Sequence, residues 1–221
     1  MKKLCLLLLA CCLAFAARAT HLLGGEILAK NTSGLTYEIS GVLYLDVLNG
    51  QTAANAQTEI ILCLGDRTQL RAKRVSSEKL EGSPNVNPSM YRAVHTYAIA
   101  GRYTLTVKLD QFSGSATVSG SGREQPLTLQ TTLNTTLPNG TATAPNPRFF
   151  SGLRQVFSLA LPKTDPDGDS LAYRIVKLLD QPETCGPTQP GNSYLFPNEV
   201  AREGTFKIDF PAATLVWNAP T

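Results

Sequence analysis

Three aspartates at alternate positions, Asp165, Asp167 and Asp169, are the residues of this chain best suited by type and spacing to a chemical task. They lie in Thr164-Asp165-Pro166-Asp167-Gly168-Asp169-Ser170-Leu171-Ala172-Tyr173. Calcium takes several hard oxygen ligands, and three alternating carboxylates can supply them. Calcium is therefore the ion this segment would hold. The segment is not an EF-hand loop, because Ser170 stands where that loop needs glycine and Val176 where it needs glutamate. The competing reading is a Pro-Asp-Gly turn leading into a strand over Leu171 to Val176. The segment Tyr194-Leu195-Phe196, in the Pro-rich stretch Gln181 to Pro197, is a second candidate contact if its aromatics are exposed. Tucking back onto a sheet is its simpler fate.

Candidates for catalysis are few. The chain has two histidines, His21 and His95, so a Ser-His-Asp triad must use one of them. His21 sits at an expected mature terminus, where chains fray. His95 sits in a strand-like run, where packing and hydrogen bonding are its expected work. The sequence contains no G-x-S-x-G elbow, H-E-x-x-H pair or phosphate loop. The expectation is a protein that is not an enzyme, with no catalytic residues and no cofactor beyond that calcium. Asn31, Asn134 and Asn139 open formal glycosylation sequons, which would carry little weight if the chain is bacterial.

The N-terminus reads as an export signal. Lys2 and Lys3 precede an apolar run from Leu4 to Ala16, too short to span a bilayer. Ala17-Arg18-Ala19 offers small residues at the two positions a signal peptidase reads, which places cleavage before Thr20. A lipobox-like Leu8-Leu9-Ala10-Cys11 is the alternative, with an atypical Leu at its middle position. No later segment is apolar enough to cross a membrane. The whole chain carries 20 Lys and Arg against 17 Asp and Glu, and Lys2, Lys3 and Arg18 leave with the signal. The mature part is then balanced at 17 against 17, which gives no electrostatic footprint for nucleic acid. The densest basic group, Arg67, Arg71, Lys73 and Arg74, reads as a solvated strand face.

Of five cysteines, Cys63 and Cys185 survive cleavage. Two in a chain this long do not make a disulfide scaffold. Cys63 lies in the apolar run Ile60 to Leu64, so a buried thiol is its expected state. A Cys63–Cys185 bridge is allowed in an oxidising compartment, but it would cross between the two expected domains.

The elements that must position these residues are strands. In Leu35 to Val47 the odd positions are mostly apolar, and the even ones carry Thr, Glu, Ser and Asp, with Val42 and Tyr44 as exceptions. That is the period-two pattern of a strand with one face on a core. Tyr103 to Asp110 and Phe206 to Phe210 alternate likewise. Helix signals are thin: Val75 to Leu80 offers one turn, closed by Gly82 and Pro84. Gly24-Gly25 reads as a bend or bulge in the first strand. Many short strands with frequent turns argue for antiparallel sandwiches. The uncharged stretch Asn134 to Pro147 is the best boundary. The expected layout is a signal peptide over 1–19, a sandwich over 20–133, a linker over 134–147 and a second sandwich over 148–221.

Two motifs carry a resemblance. His95-Thr96-Tyr97-Ala98-Ile99-Ala100-Gly101-Arg102-Tyr103-Thr104-Leu105-Thr106-Val107 resembles the H-x-Y-x-x-x-G-x-Y-T-V-x-V signature of polycystic-kidney-disease (PKD) repeats, which are Ig-like sandwiches. Thr20-His21-Leu22-Leu23-Gly24-Gly25-Glu26-Ile27 resembles the mature start of large surface proteins of gliding bacteria. The aspartate segment and the closing Thr214-Leu215-Val216-Trp217-Asn218-Ala219-Pro220 are similar to stretches of those proteins. Family members usually end in a sorting domain for type IX secretion, and this chain stops at Thr221.

The resemblance implies an all-β fold of tandem Ig-like β-sandwiches, PKD-like then cadherin-like. It implies a non-catalytic structural or adhesion module of the cell envelope, linked to gliding motility or surface attachment. Its partner would be an envelope protein or a surface glycan, and its location the cell surface, the medium or the periplasm. A carbohydrate-binding or enzyme-accessory module is the alternative. Such modules usually present a row of exposed aromatics, and the lone Trp217 sits in a strand expected to pack inward.

Overall fold

The computed structural model describes residues 22–110, 126–143, 155–161, 165–191, 194–210 and 212–218. The chain is all-β. Its strands are β1 (Leu22–Ser33), β2 (Thr36–Asp46), β3 (Glu59–Cys63), β4 (Gln69–Ser77), β5 (Val86–Thr96), β6 (Arg102–Leu109) and β7 (Leu127–Asn134). They continue with β8 (Val156–Ala160), β9 (Leu179–Asp180), β10 (Gln189–Pro190), β11 (Thr205–Asp209) and β12 (Thr214–Asn218). Two short helices, α1 (Gln51–Ala56) and α2 (Pro197–Ala201), complete the described elements.

Nine strands form one antiparallel sheet in the order β1-β2-β5-β4-β3-β6-β7-β9-β10. The sheet curls until β1 packs against β7. A Cβ on Gly25 of β1 would lie 2.6 Å from the Val42 carbonyl oxygen and 2.9 Å from the Leu129 side chain of β7. Only glycine permits that approach. The pairing of β1 with β2 slips between Leu22 and Gly24, which is the irregularity expected of this glycine pair.

The alternation in β2 explains the core. Tyr37, Ile39, Leu43 and Leu45 point into the main cluster, joined by Tyr91, Tyr97, Leu105 and Leu133. Val42 and Tyr44, the exceptions to the pattern, belong to a second apolar cluster on the opposite face of the sheet, with Leu80 and Val86. Period two fails there because both faces of that strand end are covered. Three buried tyrosines also satisfy their polar ends. Their hydroxyls donate to backbone carbonyls: Tyr37 to Leu137, Tyr91 to Gln57 and Tyr97 to Leu64.

Strands β2, β6 and β11 occupy the runs expected of them. Other expectations change. The turn of helix weighed for Val75 to Leu80 is replaced over Val75–Ser77 by β4, which pairs with β5. Leu171 to Val176, expected as a strand, belongs to no ladder among the described residues. Its exposure does alternate, so it presents one face to the molecule without pairing.

Two segments beyond residue 133 attach to the first seven strands. Thr135 is buried, and its Oγ1 meets both the nitrogen and the carbonyl oxygen of Gly101. The Thr141 nitrogen donates to the Ala29 carbonyl, and the Ala29 nitrogen donates back to Thr141 Oγ1. The described part of 134–147, expected as a linker, is thus hydrogen-bonded to Gly101 before β6 and to Ala29 of β1. Strand β9 joins β7 through Thr128 and Leu179. Strand β10 pairs with β9, and β8, β11 and β12 form a separate three-stranded antiparallel sheet, β11-β12-β8. No helix among the described residues is long and apolar enough to cross a membrane.

Candidate functional site

On the outer face of β1, β2 and β5 the even positions of β2 form cross-strand rows. Glu38 stands opposite Lys30, Ser40 between Leu28 and Arg92, and Val42 opposite Met90. Neighbours on one face lie within reach of each other, so charge and shape are set by the register. Arg92 Nε lies 3.4 Å from Glu38 Oε1, a diagonal cross-strand pair. Both side chains remain partly exposed, so the pair adds little to stability and remains accessible to a ligand.

Loops 138–143 and 165–167 rise beside this face and turn it into a groove of about 590 Å³. Its floor is Leu28, Ser40 and Met90, its charged rim Lys30, Glu38, Arg92 and Asp167. The volume lies within the range of small-molecule and peptide sites. None of its described lining residues is aromatic.

The three candidate aspartates form one wall of that groove and its supports. Asp165 Oδ1 accepts from the Asp167 nitrogen, and the Gly168 nitrogen donates to the Asp165 carbonyl. Gly168 has φ +84°, the left-handed conformation that closes the turn. Asp167 Oδ2 accepts from the Gly140 nitrogen at 2.8 Å, and Asp169 Oδ2 from Asn139 Nδ2 at 2.6 Å. The carboxylates therefore point to separate donors. Among the described residues no group of three acidic, histidine or cysteine side chains is placed to hold a metal ion. The turn reading describes what these aspartates do here: they clamp loop 139–140.

His95 is held at both ends of its work. Its Nε2 is 2.7 Å from Asp66 Oδ2, and its ring meets Tyr97 edge-on at 4.6 Å. Burial opposes ionisation of Asp66, but hydrogen bonds from Thr68 and His95 outweigh it and hold the carboxyl below its usual range. His21 lies outside the described residues. Tyr97 stacks on Tyr103 at 4.0 Å, and burial pushes its hydroxyl well above the usual tyrosine range.

The cysteines overturn the thiol expectation. Cys63 and Cys185 form a disulfide, with Cα atoms 5.3 Å apart. The crossing that told against the bridge vanishes, because β9 and β10 flank Cys185 and belong to the same sheet as Cys63. Gln181 is fully buried in the same loop, donating to Thr106 Oγ1 and the Gly186 carbonyl. Nothing in its local sequence marked it as buried.

Two of the four basic residues have partners among the described residues. Arg71 pairs with Glu59. Arg74 donates to the carbonyls of Ala54 and Asn55 in the last turn of α1, groups that a helix end leaves without partners. Tyr194 and Phe196 fold against the small sheet, Phe196 lying 6.1 Å from Phe206 between ring centres. Trp217 stands opposite Phe206 and Phe157 in β12, and its buried Nε1 has no acceptor among the described residues.

The groove residues Lys30, Glu38 and Arg92 escaped sequence reasoning. Their alternation marks an outward face, but which strands lie side by side is not written in any one of them. No family model, curated protein or solved structure matches this chain.

Proposed function

We propose that the chain is a non-catalytic module of the cell envelope, structural or adhesive, which binds an envelope partner through the groove on β1, β2 and β5. The observation that carries this reading is the groove itself. It is a recess with Leu28 and Met90 beside Ser40 on its floor and charges of both signs on its rim, supported by two hydrogen-bonded loops. Charges of both signs suit a protein segment, which offers both in return. The lack of aromatic lining residues weighs against a flat saccharide platform.

Export is supported by the signal-like N-terminus and by the disulfide, since such bridges persist in oxidising compartments. The tandem Ig-like architecture, PKD-like then cadherin-like, rests on the motif around His95. There the Tyr103 hydroxyl donates to the Ile99 carbonyl four residues upstream. Ig-like sandwiches use a similar tyrosine corner. Surface attachment and gliding follow from the N-terminal resemblance. Calcium at Asp165, Asp167 and Asp169 is a subsidiary proposal that needs those side chains to leave their present donors.

The test is binding of the mature chain to envelope fractions. Arg92→Glu should weaken capture by about tenfold or more, because it places like charges beside Glu38. Equal capture by both proteins rejects the groove. Turnover of any envelope substrate by the purified chain rejects the non-catalytic reading.

A further inference from the structure

Loop 139–140 places an asparagine before a glycine, with a carboxylate on each of the two nitrogens that matter for reaction between them. The Gly140 nitrogen donates to Asp167 Oδ2 at 2.8 Å and to Asn139 Oδ1 at 2.9 Å. Asn139 Nδ2 donates to Asp169 Oδ2 at 2.6 Å. These partners fix the orientation of the Asn139 amide, since its oxygen faces a donor and its nitrogen an acceptor. Gly140 is needed here for space: a Cβ would lie 2.9 Å from the Ala29 carbonyl oxygen and 3.2 Å from Asp167 Oδ2. Thr141 is pinned to Ala29, so the peptide that follows is held still.

We infer that Asn139-Gly140 is a self-modifying site, at which the Gly140 nitrogen closes on the Asn139 side chain and expels ammonia. Asp167 accepts the proton of the Gly140 nitrogen as it attacks Asn139 Cγ, forming the N–Cγ bond of a five-membered succinimide. The Cγ–Nδ2 bond breaks, and the nitrogen held by Asp169 departs as ammonia with the proton that Asp167 took up. Both aspartates end as they began. Water then opens the ring to an aspartyl or isoaspartyl linkage. The product adds a carboxylate between Asp167 and Asp169, where like charges repel, and so loosens the loop that walls the groove.

The chain holds its own comparison. Asn49-Gly50 is a second Asn-Gly pair, and Asn49 Nδ2 also donates to a carboxylate, Asp46 Oδ2 at 3.0 Å. Among the described contacts, no carboxylate accepts from the Gly50 nitrogen. The two sites differ in the base, and a positioned base contributes about a hundredfold or more to a proton transfer.

The experiment follows conversion at both asparagines by peptide mass spectrometry after incubation of the folded chain at neutral pH. Asn139 should convert at least about tenfold faster than Asn49, and the two should converge in urea, where the base is lost. Asp167→Asn should bring Asn139 down towards the rate of Asn49. Equal rates in the folded chain, a difference that survives urea, or an Asp167→Asn protein as fast as the original would each overturn the inference. The urea comparison needs no variant, so it stands even if Asp167→Asn folds poorly.

Discussion

His95 Nε2 sits 2.7 Å from Asp66 Oδ2, joining the C-terminal end of strand β5 to the loop that follows β3. The bond fixes the ring that packs edge-on to Tyr97, so its loss reaches the core. His95→Ala should lower stability by about 1–2 kcal/mol, measured by urea unfolding, since it removes a hydrogen bond and a ring contact together. A change near zero would show that the pair is ornamental.

Acid should act through the same pair. The Asp66 carboxyl is held below its usual range in the folded chain, so the folded state favours the ionised form. Its contribution is complete above the unfolded carboxyl range and fades as pH falls through the folded value. Melting temperature should drop below about pH 4 in the original, and less steeply in Asp66→Asn.

Alkali tests the buried tyrosines. Burial pushes the Tyr91 hydroxyl up to about 12, with Arg74 opposing in part. A raised folded value means that the folded state holds its proton longer. The stability it contributes is present below the unfolded tyrosine value near 10 and is lost as pH rises towards about 12. Tyr91→Phe should flatten that decline in a pH series of unfolding curves, while costing about 1 kcal/mol at neutral pH through the orphaned Gln57 carbonyl.

Removing the bridge should matter more. Cys63 and Cys185 are 122 residues apart in sequence, and closing so long a loop restricts the unfolded chain strongly. Cys185→Ser or reduction should cost about 2–4 kcal/mol. Loss of protection at Gln181 and Thr106 in amide exchange would accompany it, because that loop is where the bridge is anchored.

Gly25 and the aspartates complete the set. Gly25→Ala should destabilise by about 1–3 kcal/mol, as the new methyl meets the Val42 carbonyl and Leu129. Melting in calcium and in chelator tests the aspartates: the three carboxylates face separate donors, so an unchanged melting temperature rejects calcium there. A rise with calcium would mean that they can regroup around an ion.

Much of the strand order along the chain was legible because burial on one face leaves a period-two trace. Tyr37 to Asp46, Tyr103 to Leu109 and Phe206 to Asp209 are read directly from it. Val42 and Tyr44 broke the rule because a second cluster, built from Leu80 and Val86, covers them. That cover comes from elsewhere in the chain and leaves no mark within β2. The disulfide leaves no mark in the local sequence for a related reason. Leu179–Asp180 is too short for a pattern, yet its pairing with β7 brings Cys185 beside Cys63. The aspartate turn was visible in Pro166 and Gly168, whereas its donors in Asn139 and Gly140 were not.

The Cys63–Cys185 link also decides how the molecule carries load. A pull applied at the two ends runs through β1, β2 and β3, crosses at the sulfurs, and leaves by way of β10. Strands β4 to β9 lie inside the closed loop and are spared the tension. An anchored chain of this design stretches only in its outer portions, and its central strands keep their shape under a force that draws out the rest.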